Sequence, residues 1–168
     1  GSCGTYICSD GYERNTWAIN KQDTILLERC MDILKRNEPE LDFKILDTIK
    51  SSHMYKLVAK QKSKKVEHRG DLKDFVDRYR ELFYDNRKYK KVPDIILNAP
   101  LGIRQSFFMG YYAGDGSKKD PALTMTNKGG IGSAGIFFLM RSLGYNVSVN
   151  TRKDKPDVYK LTGSTPDK

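Results

Sequence analysis

An internal repeat limits how this chain can fold more than any other feature. Phe43–Leu57 aligns without gaps on Val147–Leu161, and both segments end in the same tripeptide, Tyr55-Lys56-Leu57 and Tyr159-Lys160-Leu161. Gly1-Ser2 is matched in the same way by Gly116-Ser117. Each copy reads as glycine-serine, an extended segment ending in asparagine, a helix and a two-stranded hairpin. The spacing is too long for a solenoid, whose units recur every ~20–50 residues. It predicts a pseudo-dimer of α+β class: two αββαββ-like halves, 1–60 and 101–168, joined by a basic loop and helical linker over 61–100.

With 168 residues the chain fits one medium domain or two small halves and can bury a core without staples. Gly4–Cys8 and Thr16–Asn20 read as extended pieces around a Ser9-Asp10-Gly11 turn. Asp23 or Thr24 can cap a helix running to about Arg36, with Ile25, Leu26, Met31, Ile33 and Leu34 facing inward. Phe43–Ile49 and Met54–Lys60 alternate as strands around a Ser51-Ser52 turn. Asp71–Phe83 is the clearest helix, because Leu72, Phe75, Val76, Tyr79, Leu82 and Phe83 keep the three-four spacing of one apolar face. Pro93 opens a short helical piece, and Pro100 precedes a longer helix. Beyond it the pattern predicts a strand at Ala122–Asn127, a helix at Ser133–Leu143 stopped by Gly144, and strands at Tyr145–Arg152 and Val158–Thr162. Trp17 and the aromatic run Phe107–Tyr112 read most simply as core.

The helix after Pro100 ends abruptly in Ala113-Gly114-Asp115-Gly116. A helix C-terminus carries partial negative charge, so a carboxylate there is unfavourable unless something positive sits beside it. A divalent cation is the obvious candidate, since hard cations take carboxylate and backbone carbonyl oxygens together. The plainer reading of Asp115 is an Asp-Gly turn after a core helix.

Composition narrows the partners. The 30 Lys and Arg against 21 Asp and Glu leave a net charge of +9, which favours polyanions. The 3 cysteines, Cys3, Cys8 and Cys30, form no CxxC pair, which argues against a disulfide framework and against zinc at Cys3 and Cys8. A reducing, intracellular setting is expected, in cytoplasm, viral factory or nucleus. No apolar run approaches the ~18 residues of a membrane span, and no membrane partner is expected. With only 2 histidines, His53 and His68, a histidine-built centre is not expected.

Phe108–Gly116, with Gly110 and Gly114 at helix-contact spacing before Asp115-Gly116, resembles the LAGLIDADG motif of homing endonucleases. Lys88-Tyr89-Lys90-Lys91-Val92-Pro93-Asp94-Ile95-Ile96-Leu97-Asn98 upstream and Asn150–Leu161 downstream bring the resemblance closer to one group. The whole chain is similar to the endonuclease domain of inteins in family B DNA polymerases of large DNA viruses. That resemblance implies saddle-shaped antiparallel sheets along the major groove of double-stranded DNA. It implies two motif helices packed through their glycines, here Gly110 and Gly114. Each helix would deliver one aspartate to the scissile phosphates, where Mg2+ or another divalent cation binds. Asp115 is then the expected catalytic and metal-binding residue, helped by the Gly114 carbonyl. Lys56 and Lys160 match the family's basic residue near the active site, although most strand lysines are merely solvated.

The same resemblance frames the charge clusters Lys60–Lys65, Arg87–Lys91, Lys118-Lys119 and Arg152–Lys155. Singly each reads as solvated surface; together they could supply the phosphate contacts that dominate affinity. The expected DNA-binding set is Asn20, Lys44, Lys50, Lys118, Lys119, Thr124, Thr126, Ser148, Asn150, Arg152, Lys153 and Lys155. Family members carry an aspartate directly before the glycine matched by Gly1, so the first motif helix is expected to be missing. It would be truncated or supplied by a separate polypeptide, such as the intein splicing domain. Without that partner helix, self-association is expected. No splicing is expected of this chain alone, since no Cys or Ser begins it and no His-Asn pair ends it. Two rivals stay open: a DNA-binding module that does not cleave, and a structural insertion in an intein.

Overall fold

A computed structural model of the chain describes residues 2–62, 70–117 and 122–165. The chain divides into two compact units, Gly1–Arg80 and Glu81–Lys168.

The first unit is a four-stranded antiparallel sheet in the order β1-β2-β4-β3. Its strands are β1 (Ser2–Ile7), β2 (Glu13–Lys21), β3 (Leu41–Thr48) and β4 (Met54–Gln61), with the helices α1 (Ile25–Asn37) and α3 (Asp71–Phe83). The β1–β2 turn closes because Gly11 adopts φ +78° and the Asp10 carboxylate accepts from the Tyr12 amide at 3.1 Å and the Arg14 guanidinium at 2.9 Å. Between β3 and β4, the expected Ser51-Ser52 turn is one turn of helix, α2 (Ile49–Ser52), followed by His53 at φ 56°. Alternation along the strands sends Trp17, Phe43, Leu57 and Ala59 to one face. There they meet Leu27 and Leu34 of α1 and Phe75 and Val76 of α3 in one buried cluster.

In α1 the expected inward set needs correction. Leu27 and Leu34 are buried, whereas Ile25 and Ile33 are 70% and 52% exposed. Those two isoleucines lie roughly 100° or more round the helix from the Leu27–Leu34 line, outside the narrow stripe that meets the sheet. Thr24 precedes the helix but makes no side-chain cap. The helix α3 has the expected bounds, with Leu82 exposed. Because Phe75 and Val76 are core residues of the first unit, the segment expected to link two halves is divided between the units.

The second unit carries α4 (Asp94–Leu97), α5 (Leu101–Asp115), β5 (Leu123–Lys128), α6 (Gly130–Ser142), β6 (Asn146–Arg152) and β7 (Lys155–Ser164). Its three strands are antiparallel in the order β5-β7-β6. Val92, Phe108, Met125, Ile136, Leu139, Met140 and Leu161 form its core. The helix α6 begins three residues before the expected Ser133, with Gly129 at φ +95° as its cap. Glycines in its first turns allow close packing, described below.

Candidate functional site

Strand register decides which side chains look away from each core. In the second unit Gly116 lies opposite Met125, and Met125 opposite Leu161. The next row runs Thr126, Lys160, Asn150. Asp115, the last residue of α5, directly precedes Gly116. Met125 and Leu161 are buried, while Thr126, Lys160 and Asn150 are exposed. Alternation therefore puts the expected lysine and two polar readers along one line of the outer face.

The first unit repeats this arrangement: Asn20 lies opposite Lys56, and Lys56 opposite Leu46. One row further along, Ala18, Val58 and Lys44 correspond to Thr124, Thr162 and Ser148. The match of Ser2 with Ser117 also holds: Ser2 pairs with Ala18, and the Ser117 amide donates to the Thr124 carbonyl at 2.8 Å.

The matching of the two asparagines needs a correction. Asn20 corresponds by register to Thr126 and not to Asn127. Asn127 points inward, 7% exposed, and its amide donates to Ser133 Oγ at 3.3 Å. A slip of one residue changes the face. Thr124 stands apart among the expected readers, since it is buried with its hydroxyl 3.5 Å from that of Thr162. Lys44, Lys50, Ser148, Lys153 and Lys155 are exposed, and Lys44 pairs with Asp42 at 3.3 Å. Lys118 and Lys119, residues 63–69 of the basic loop and the Arg152 side chain lie outside the described residues.

At Asp115 the positive neighbour is a side chain that the sequence pattern did not single out. Lys90 Nζ donates to Asp115 Oδ2 at 2.7 Å. The last turn of α5 contains no basic residue of its own, so the ammonium supplies from outside the charge that the helix end lacks. Lys90 is held by backbone. It bridges to Tyr84, the Lys91 amide donates to the Phe83 carbonyl at 2.8 Å, and the Asp85 amide donates to the Tyr89 carbonyl at 2.8 Å. Three glycines of α6 and its cap, spaced every third residue, seat this segment. A Cβ at Gly129 would lie 2.7 Å from the Tyr89 ring, one at Gly132 1.9 Å from the Lys90 carbonyl, and one at Gly135 3.0 Å from Val92 Cβ. That glycine spacing, beside the lysines before Val92-Pro93, is the signal from which Lys90 could have been found.

One turn before Asp115, Tyr111 donates to Asn127 Oδ1 at 3.4 Å. Burial pushes its phenol far above the ordinary tyrosine range, and the Asp115 charge adds to the shift. Gly116 is required for space: a Cβ there would lie 2.4 Å from the Tyr112 ring and 2.5 Å from its carbonyl. At Gly110 and Gly114, expected in helix packing, a Cβ would meet nothing within 4 Å. Among the described residues no group of three His, Cys, Asp or Glu side chains could form a metal cage.

Solved structures of the homing endonuclease I-DmoI match this chain over 98% of its length. Mesophilic variants of I-DmoI align with TM-score 0.67 at 14% identity over 81% of that chain. I-DmoI in complex with DNA and Mn aligns with TM-score 0.63 at 15% identity over 82% of that chain. The fold is that of the LAGLIDADG homing endonucleases. In this chain α5 ends at Asp115. A DNA polymerase of Acanthamoeba polyphaga mimivirus is 45% identical over 168 residues, which is 98% of this chain and 9% of the polymerase. The chain thus spans about a tenth of the length of that curated relative. No family model matches.

Proposed function

We propose that this LAGLIDADG-fold chain is a site-specific double-stranded DNA endonuclease domain of the intein homing type, hydrolysing phosphodiester bonds with a divalent cation at Asp115. The row Thr126, Lys160, Asn150 carries this reading, because it lines up exposed groups suited to phosphate and base edges on the sheet that Gly116, the residue after Asp115, bridges to. The likeness to I-DmoI bound to DNA supports it. So does a polymerase relative of which the chain spans a small share.

The donor set fits a hard cation. One carboxylate and the Gly114 carbonyl suit Mg2+ or Mn2+, which are commonly held by one or two carboxylates together with substrate phosphates. Such an ion supplies charge neutralisation at the phosphate and a more acidic water. Lys160, and Lys56 in the first unit, then stabilise charge on the DNA. Lys44, Lys50, Lys153 and Lys155 hold the backbone, while Asn20, Thr126, Ser148 and Asn150 face the bases. The setting is intracellular and reducing, in keeping with three cysteines that form no CxxC pair.

A plasmid carrying the polymerase coding sequence without the segment matched by this chain tests the proposal with Mg2+. The wild type should yield a linear product, and Asp115→Asn should slow cleavage at least ~100-fold, as lost charge stabilisation at a reacting centre commonly does. Equal cutting by both proteins would refute the assignment. The ion pair that engages Asp115 favours one second reading, a DNA-binding module that does not cleave. It predicts no linear product from either protein and unimpaired duplex binding by both.

A further inference from the structure

Lys90 lies outside the repeat and outside the strand rows, yet the fold delivers its ammonium to the motif carboxylate. The delivery is constructed. Gly132 leaves room for the Lys90 carbonyl, where a Cβ would sit 1.9 Å away, and Gly129 and Gly135 leave room for Tyr89 and Val92. The Asp85 carboxylate tightens the preceding turn by accepting from the Arg87 and Tyr89 amides, each at 2.9 Å. Lys128 Nζ lies over the Tyr89 ring, 4.8 Å from its centroid, adding a second anchor. With the backbone of Lys90 already fixed, only its side-chain torsions remain to be ordered when the ammonium reaches Asp115.

We propose that Lys90 is a built-in competitor for the cation at Asp115, an internal counter-ion that a divalent ion must displace. The inference rests on the reading of Asp115 as a metal ligand. An ammonium and a divalent ion drawn to one carboxylate repel each other, so ion binding favours a Lys90 side chain swung away. Lys90 therefore sets a threshold for loading the site. A phosphate brought in by DNA offers the displaced ammonium a new partner, so cation and DNA favour each other's binding. The side chains are 34% and 39% exposed, which keeps the competition moderate: a shift of about two- to fivefold is what such an ion pair supports.

The test is a Mn2+ titration of the intact chain without DNA, following free Mn2+ by its electron paramagnetic resonance signal. Lys90→Met keeps most of the stem and removes the charge, and should bind Mn2+ about two- to fivefold more tightly than wild type. Lys90→Arg should stay near the wild-type affinity, and Asp115→Asn should lose the site. If Lys90→Met binds no more tightly while Asp115→Asn still loses the ion, the competition is refuted and Asp115 remains a ligand. If Asp115→Asn binds as the wild type does, Asp115 is no ligand and both readings fall. Circular dichroism of each variant, expected to overlay the wild type, confirms that affinity and not folding has changed.

Discussion

In the unit Gly1–Arg80 the inner face of the sheet is filled with rings. Trp17 meets Phe43, Phe75 and Tyr79 edge-on, with centroids 6.4, 5.6 and 5.9 Å away. In the unit Glu81–Lys168 the corresponding face meets Ile136, Leu139 and Met140 of a helix whose first turns are glycine-rich. The strand register is nevertheless the same, with Leu57 and Leu161 both fully buried. The repeated Tyr-Lys-Leu is therefore a statement about faces: tyrosine and leucine turn inward and the lysine between them turns out. Cores of different chemistry can carry one outer row, provided that alternation is kept.

On the proposed reading the outer faces differ in what they offer DNA. The first unit presents Val58 and Leu46 where the second has Thr162 and Asn150. Apolar groups suit thymine methyls, and amides and hydroxyls suit polar base edges. We expect a target without two-fold symmetry, which sequencing of the cleavage site would show; a palindromic site would break the comparison.

The largest effects should fall on the matched cores. Leu57→Ala and Leu161→Ala should each cost about 2–5 kcal/mol in urea unfolding. Amide exchange should rise chiefly in the unit that carries the change, and equal acceleration across both would deny that the units are separate. Next come the glycines. Gly132→Ala should destabilise by about 1–3 kcal/mol, because its Cβ meets a backbone carbonyl. Gly110→Ala, opening into space, should instead stabilise the free chain by up to about 1 kcal/mol through helix propensity. Urea midpoints with unchanged slopes would check both.

A pH dependence should follow from Tyr111. Its phenol is held neutral in the folded chain by burial, while the unfolded chain ionises it near pH ~10. The stabilisation is complete below that pH and is lost as the pH rises further, since the unfolded state alone releases the proton. Tyr111→Phe should flatten this alkaline decline. Tyr79 in the first unit, whose phenol is also raised by burial, should contribute a similar but smaller slope.

Much of this was legible because it is local or periodic. The spacing of Phe75, Val76 and Tyr79 predicted α3, and the gapless repeat predicted the β3–β4 and β6–β7 hairpins. What stayed hidden depends on tertiary contact. Ile25 and Ile33 are apolar but lie off the stripe that touches the sheet. Asn127 looked like the partner of Asn20 until pairing with Tyr159 placed it one residue off. Lys90 was one lysine among several, and only its seat against Gly129, Gly132 and Gly135 distinguishes it. The faces of the strands were hidden for the same reason, because alternation shows two faces without saying which one a helix covers.

On the proposed reading each unit contributes its own outer row to DNA binding, one through Lys56 and one through Lys160. The salt dependence of duplex affinity tests it most directly, comparing wild type with the Lys56→Met/Lys160→Met double variant. The wild type should show a steep linear fall of log affinity with log salt, and the variant a slope shallower by roughly 0.9 per lysine removed. A flat wild-type dependence, or a slope unchanged in the variant, would contradict the claim.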